Sequence, residues 1–205
     1  HEALRMPVAV KMMKHDLATY SDFIKKFREE ARTIAKFNHE NIVHVYDIEE
    51  RYKTLFIIME HLDGMSLRTL LKRMLKLPPA RVVRYLLQIC AGLQYAHAKN
   101  VVHQDIKPGN IFILPDDKIK ILDFGLATPF GADSNFTGTP FYMSPEQIEC
   151  LPVDARTDIF ALGLTAYEML TGQRPFARED AWNTMNLRVE QDIPDPSEIV
   201  ADLPA

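Results

Sequence analysis

The chain has 205 residues, of which 47% are hydrophobic and 25% charged, a composition typical of one globular domain or of two small lobes. The formal net charge is -4, with acidic and basic residues interleaved, so nothing indicates nucleic-acid binding or contact with an anionic membrane. No apolar run approaches membrane-spanning length, and no signal peptide opens the sequence. Cys90 and Cys150 lack metal-ligand spacing. We expect Cys90 to be buried and reduced. We also expect the protein to be cytoplasmic, either as a whole or as the cytoplasmic domain of a larger, membrane-anchored protein.

The first third of the sequence is rich in strand patterns, with one amphipathic helix between them. Short apolar runs predict strands, and apolar residues at helical spacing predict the helix. The predicted strands are residues 7–13, 42–48 and 55–60, and the predicted helix is residues 21–37. The pair Asp63-Gly64 then interrupts the sheet, which places a hinge near residues 60–64.

The remainder is mainly helical. Helices are predicted at residues 66–76, 80–98 and 154–171, and short strands at residues 111–114 and 118–122. The apolar side of the longest helix is predicted to consist of Val83, Leu86, Leu87, Cys90, Leu93 and His97. Residues 124–145 show little periodicity and predict a loop, and the Pro- and Asp-rich tail at residues 192–205 is predicted to be loose.

Two charged residues occupy positions where the patterns predict apolar ones. Lys11 ends the apolar run of the first strand, and Glu30 lies on the buried stripe of the first helix. A buried charge is costly unless it is paired. The two side chains are therefore candidates for an ion pair that would hold the lysine for contact with phosphate oxygens. The alternative is a glutamate tolerated at the edge of the stripe.

Further functional groups crowd the loop at residues 103–110. Asp105, Lys107 and Asn110 offer a carboxylate that accepts a hydroxyl proton, an ammonium that neutralises charge and an amide oxygen that binds a hard cation. Asp123 follows the last short strand, where it would give a metal ion a second oxygen donor. Taken singly, each of these residues also fits an ordinary polar loop or turn.

Together these residues resemble the ordered motif series of protein kinases. The matching segments are Val8-Ala-Val-Lys11, Glu30, His103-Gln-Asp-Ile-Lys-Pro-Gly-Asn110, Asp123-Phe-Gly125, Gly138-Thr-Pro140, Ser144-Pro-Glu146 and Asp158. They span essentially the whole chain. Each segment is weak alone, but their joint order and spacing are specific. Some details, such as Arg28-Glu-Glu-Ala31, are similar to bacterial members of the family.

The resemblance implies an α+β, two-lobed protein-kinase-like fold. A small β-rich N-lobe with one helix would occupy residues 1–62, and a larger, mainly helical C-lobe would occupy residues 63–205. Both lobes are expected to be incomplete. No Gly precedes Lys11, so the Gly-rich loop is missing, and the usual arginine partner of Glu146 would lie beyond Ala205. For these reasons we expect this segment itself to be poorly active and marginally stable.

The resemblance also implies a role for each matching residue. Asp105 would be the catalytic base, with Lys107 beside the transferred phosphate, while Asn110 and Asp123 would bind Mg²⁺, or Mn²⁺ in its place. Lys11, held by Glu30, would bind the phosphates of ATP. The residues that resemble the lining of the adenine pocket are Ala9, Met59, Glu60, Leu62 and Phe112. Those that resemble the apolar column joining the lobes are Val45, Ile34, Phe124 and His103.

The implied function is ATP-dependent phosphorylation of Ser and Thr hydroxyls on protein substrates, because Lys107 and Thr139 are typical of Ser/Thr-specific members. Gln104 departs from the pattern, since the family commonly has an arginine there that pairs with a phosphate on the activation loop. We therefore predict that phosphorylation is not strictly required for activity. The candidate phosphorylation positions are Thr128, Ser134 and Thr137.

Two other functions stay open at this point. A pseudokinase or scaffold would be favoured by loss of a phosphoryl-transfer group, and all of these groups are present. A small-molecule phosphotransferase of kinase-like fold would usually lack the segment at residues 138–146, which suits a protein substrate. A kinase dimer is a further option that the resemblance leaves open.

Overall fold

A computed structural model describes residues 6–12, 33–51, 54–124, 140–176, 181–201 and 203. It contains two small antiparallel sheets. The first has the order β1-β3-β2 and consists of β1 (Val8–Met12), β2 (Val45–Arg51) and β3 (Thr54–Glu60). The second has the order β4-β5-β6 and consists of β4 (Met65–Ser66), β5 (Ile111–Ile113) and β6 (Ile119–Ile121).

Helices dominate the second part of the chain. They are α1 (Leu67–Met74), α2 (Pro79–His97), α3 (Pro145–Ile148), α4 (Ala155–Thr171) and α5 (Ala181–Glu190). Ser66 caps α1, because its Oγ accepts a hydrogen bond from Thr69 N at 3.2 Å. Asp154 caps α4 in the same way. Within the described ranges, no helix is long and apolar enough to cross a bilayer.

The predicted elements match the observed ones with a few differences. Most of the predicted helix at residues 21–37 lies outside the described residues, and residues 33–34 are helical. The strand predicted at residues 42–48 begins later, at Val45, because Ile42 and Val43 pair with β6 instead. The helices α3 and α5 were not predicted. In the tail, Pro196–Glu198 forms a turn of 3₁₀ helix capped by Asp195.

The prediction for the buried face of α2 was wrong at three of its six positions, while Leu93 is buried and Leu86 and His97 are partly buried. Val83 and Leu87 are 53% and 66% exposed, and Cys90 is exposed as well. The buried residues are Val82, Tyr85, Ile89, Gly92, Leu93 and Ala96. Apolar residues occur all round this helix, so periodicity alone could not select the side that packs against the core.

The two sheets are joined at the residues just before β2. Ile42 forms a parallel bridge with Ile121 of β6, and Val43 N donates to Ile121 O at 2.9 Å. The chain passes from the first sheet to the second through residues 61–64. Gly64 is required there, because its φ is 144° and a Cβ would lie 2.1 Å from Ile113 O. One hydrophobic core extends through both sheets and the helices packed on them.

Candidate active site

The loop at residues 103–110 is fixed at its start by a buried carboxylate. Asp158, on the first turn of α4, has no exposed surface. His103 N donates to its Oδ2 at 2.8 Å, and Gln104 N donates to its Oδ1 at 2.7 Å. His97 Nε2, from the end of α2, lies 2.7 Å from the same Oδ2. The sequence marked Asp158 as part of the motif series, and its contacts explain why a charge is tolerated there.

The same loop is tied to the end of β6. Asp105 N donates to His103 Nδ1 at 3.2 Å, so the ring hydrogen is on Nε2, which donates to Leu122 O at 2.7 Å. Leu122 N in turn donates to Asn110 O at 2.8 Å. Because Asp123 directly follows Leu122, its backbone is held against the loop that carries Asp105 and Asn110.

Within the loop, the Asp105 carboxylate has two side-chain partners. Lys107 Nζ lies 2.6 Å from Asp105 Oδ2, and Asn110 Nδ2 donates to the same oxygen at 2.9 Å. The side chains of Asp105 and Lys107 are each 18% exposed. The Asp105 side chain therefore lies beside an ammonium group and is still partly open to solvent.

Lys11 and Asp123 meet although they are far apart in the sequence. Lys11 Nζ lies 2.7 Å from Asp123 Oδ2, with side chains that are 45% and 25% exposed. Glu30, the predicted partner of Lys11, lies outside the described residues. Asp123 and Gln104 have φ values of 58° and 66°, a region that costs energy for residues other than glycine and is often retained at functional sites.

The residues predicted to line an adenine pocket are all partly buried. Ala9 and Met59 are cross-strand partners in the first sheet, while Phe112 lies in β5 of the second. The Glu60 carboxylate is bound by Lys120 Nζ at 2.7 Å and by His44 N at 2.7 Å. Sequence reasoning missed Lys120, although a lysine flanked by two isoleucines in a short strand is a signal that the charge is paired.

The predicted apolar column is buried throughout. Val45, Ile34, Phe124 and His103 are between 0% and 6% exposed. The rings of His103 and Phe124 meet edge to face with centroids 4.6 Å apart. Phe37, which sequence reasoning missed, adds a second ring contact to Phe124 at 5.7 Å.

The segment from residue 140 to α3 lies beside the loop. Gln147 Nε2 donates to Gln104 O at 2.8 Å, and the Tyr142 hydroxyl donates to Glu168. Burial, with help from the Glu168 charge, raises the pKa of Tyr142 well above its ordinary value. Residues 128, 134 and 137, the predicted phosphorylation positions, lie outside the described residues.

The Glu146 carboxylate is hydrogen-bonded to a residue on the first turn of α4. Its Oε1 accepts a hydrogen bond from Thr157 Oγ1 at 2.5 Å. Partial burial acts to raise the pKa of Glu146, but the bond from Thr157 and further local hydrogen bonds together outweigh burial and hold that pKa below the ordinary value. The carboxylate therefore stays ionised at neutral pH without the arginine that the resemblance implies.

Comparison with known families gives one clear match. The model of the protein kinase domain matches residues 1–202. Among curated proteins, the chain is 37% identical to serine/threonine-protein kinase PknL of Mycobacterium tuberculosis, over 98% of this chain and 52% of that protein. It is 35% identical to a probable serine/threonine-protein kinase of Clostridium acetobutylicum, over 98% of this chain and 31% of that protein. The chain thus spans between a third and a half of the length of these relatives.

A solved structure has the same fold. The crystal structure of a mutant of the Mycobacterium tuberculosis PknI kinase domain superposes with a TM-score of 0.80. The two are 26% identical, and the alignment covers 99% of this chain and 74% of that one. The small sheet-rich lobe and the larger helical lobe predicted from sequence are thereby confirmed.

Proposed function

Because the chain belongs to the protein kinase domain family, we propose that the protein transfers the γ-phosphate of ATP to Ser and Thr hydroxyls of protein substrates. The observation that supports this best is the gathering of charged side chains from distant segments. Lys11 lies 2.7 Å from Asp123, and Asp105 lies 2.6 Å from Lys107 on a loop bonded to the residue before Asp123. The serine/threonine-protein kinases among the relatives support the choice of acceptor.

In this mechanism the Asp105 carboxylate orients the acceptor hydroxyl and accepts its proton. Its two contacts, to Lys107 and Asn110, hold it in one orientation and leave an edge open to the substrate. Lys107 offsets the charge that builds up on the transferred phosphate, because its ammonium is already beside the reacting hydroxyl. Lys11 would bind the other phosphates, and a side chain nearly half exposed is free to reach them.

The donor set present fits a magnesium ion. Asn110 uses its Nδ2 for Asp105, which leaves Oδ1 as a donor, and Asp123 has its Oδ1 in addition to the oxygen beside Lys11. One carboxylate, one amide oxygen and substrate phosphates suit Mg²⁺, which keeps several waters. We propose that Asn110 and Asp123 hold the ion, and that when bound it neutralises phosphate charge. Within the described ranges, no group of three or more His, Cys, Asp and Glu side chains offers another metal site.

We further propose that the adenine ring enters between the two sheets. Ala9 and Met59 would cover one side and Phe112 the other, with the backbone of residues 60–62 at the ring edge. The lobe boundary would then fall at residue 62, so that residues 1–62 and 63–205 close on the nucleotide. A cytoplasmic location suits an enzyme that consumes ATP.

The direct test is phosphate transfer from labelled ATP in the presence of Mg²⁺ to a generic basic protein. Asp105→Asn should lower the rate on the order of a hundredfold or more, because general-base assistance is lost while the side-chain shape is kept. Phosphoamino-acid analysis should find phosphoserine and phosphothreonine.

Asp116→Asn is the matched control, since Asp116 lies in the exposed turn between β5 and β6 and should tolerate the change. Equal activity of Asp105→Asn and wild type would contradict the proposal. Nucleotide binding without transfer would favour the pseudokinase, and transfer to small hydroxylated molecules alone would favour the small-molecule phosphotransferase.

A further inference from the structure

A buried cation holds the backbone of residues 141–143. From α5, Arg188 Nη1 donates to Met143 O at 2.9 Å, and Arg188 Nη2 donates to Phe141 O at 2.8 Å. Arg188 is 3% exposed, so both contacts are shielded from water. Hydrogen bonds from a charged donor are the stronger class, and shielding strengthens them further.

The guanidinium keeps its charge in this setting. Burial lowers the pKa of Arg188 to about 10, which is still well above neutral pH. A buried charge is costly unless it is hydrogen-bonded, and here the two carbonyl oxygens accept one bond from each terminal nitrogen of the guanidinium. The planar fork of arginine reaches both oxygens at once, which a lysine cannot do with the same geometry.

The segment held by Arg188 lies next to the loop at residues 103–110. A few residues further along, Gln147 Nε2 donates to Gln104 O, directly before Asp105. The side chains of Phe141 and Met143 are partly exposed, while Tyr142 between them is 3% exposed and bonded to Glu168. The Arg174 guanidinium lies over the Phe141 ring, 4.1 Å from its centroid. The two carbonyl oxygens are bound by a buried residue, and the flanking side chains are partly open to solvent.

Given the proposed kinase function, on which this inference rests, we propose that Arg188 is a positioning residue for the protein substrate. By fixing the carbonyls of Phe141 and Met143, it shapes the surface on which the acceptor peptide lies beside Asp105. The helix that carries it, α5, packs on the 3₁₀ turn at Pro140–Tyr142 and on α3. Nucleotide binding should accordingly be independent of it.

The test compares Arg188→Met and Arg188→Lys with wild type in the full-length protein. Arg188→Met should raise the KM for a peptide substrate by about tenfold or more, because two charge-assisted hydrogen bonds are lost. The KM of Arg188→Lys for the peptide should lie between those of wild type and Arg188→Met, since a lysine can retain one of the two hydrogen bonds. The KM for ATP should change less than about twofold, as its binding groups are untouched. Amide hydrogen exchange of residues 140–147 should be faster in Arg188→Met.

Arg84→Met is the matched control, because Arg84 is 63% exposed on α2 and bonds Asp117. An equal rise in the KM values for peptide and for ATP in Arg188→Met, together with a lowered unfolding midpoint, would show that Arg188 has only a structural role and would overturn the inference. Amide hydrogen exchange of residues 140–147 that is equally slow in Arg188→Met and wild type would also overturn the inference. A wild-type protein that transfers no phosphate would instead defeat the proposed function, and with it the substrate role of Arg188, while the exchange measurement would still decide whether Arg188 holds the backbone of residues 140–147.

Discussion

Asp117, in the turn between β5 and β6, accepts hydrogen bonds from several residues in the first half of α2. Its Oδ1 lies 2.6 Å from Arg81 Nη2 and accepts from the Tyr85 hydroxyl at 2.7 Å. Gln88 Nε2 donates to its backbone oxygen at 3.2 Å. The residue has a φ of 61°, which an aspartate tolerates better than most. One carboxylate thus attaches the hairpin to the helix.

These bonds shift the pKa values of Asp117 and Tyr85, and the shift at Asp117 makes the stability of the protein depend on pH. Burial acts to raise the pKa of Asp117, but the hydrogen bonds from Tyr85 and Arg81 outweigh it and lower that pKa. Burial raises the pKa of Tyr85 to about 12, with a further contribution from its bond to Asp117. A carboxyl whose pKa is lower in the folded state stabilises the protein above its unfolded pKa. That contribution disappears as the pH falls through the folded-state value.

Asp117→Asn should therefore destabilise the protein at neutral pH by about 1–2 kcal/mol, the range for lost hydrogen bonds to a charged group that is partly exposed. The difference from wild type should shrink below a pH of about 4, where the wild-type carboxyl is also becoming neutral. Urea unfolding between neutral and acidic pH measures both quantities. Asp192→Asn, an exposed change in the tail, should show neither effect. A difference that stays constant with pH would contradict this account.

At the scale of elements, α2 shows what sequence periodicity resolves and what it does not. Its existence and length were predicted to within a residue, because apolar residues recur at helical spacing and proline marks the start. The buried face was predicted only in part. Ile89 and Cys90 are adjacent and both apolar, so only the fold determines which of the two packs against the core. Gly92 lies on the buried side, where a Cβ would come within 3.3 Å of Asn41 O.

This orientation predicts that both cysteines react in the folded state. Cys90 and Cys150 are exposed, so a thiol reagent such as dithionitrobenzoate should label two thiols per chain without denaturant. Cys90→Ser should remove one of them and leave the free energy of unfolding unchanged within about 0.5 kcal/mol, as expected for a surface change. A native protein in which Cys90 reacts only after unfolding would restore the face predicted from sequence.

The site was more predictable than the helix packing, for a physical reason. Asp105, Asn110 and Asp123 each fit an ordinary polar loop or turn when taken singly, and the joint order and spacing of the motif series single them out. Two groups, Lys120 and Arg188, were missed. The isoleucines on either side of Lys120 signal that its charge is paired, but they do not identify the partner. The partners of both residues are a side chain or backbone oxygens far away in sequence, and these pairings become visible only in three dimensions.

Across the whole molecule, Lys120 links the two sheets. Its Nζ lies 2.7 Å from Glu60 at the end of β3 and 3.3 Å from Ile42 O. The side chains of Lys120 and Glu60 are 15% and 21% exposed, so this pair is far less screened than a surface ion pair. It lies next to the residues through which the chain crosses between the sheets.

A double-mutant cycle should reveal this link. Lys120→Met, Glu60→Gln and the double variant should show a coupling of about 1–2 kcal/mol in the free energy of unfolding, because each single change leaves a partner buried without its opposite charge. The exposed pair of Lys118 and Asp116, 3.3 Å apart, serves for comparison and should couple by less than about 0.5 kcal/mol. Additive effects at Lys120 and Glu60 would show that this ion pair does not contribute to holding the sheets together.

The orientation of the Asn110 side chain explains why that position needs an amide. Its nitrogen faces the Asp105 carboxylate at 2.9 Å, and its oxygen faces the other way. An aspartic acid in its place would present two like charges to each other at contact distance, and one of them would have to take up a proton. A carboxamide alone offers both a donor to its acidic neighbour and an acceptor to the magnesium ion that we propose, so the chemistry of Asp105 dictates the identity of Asn110.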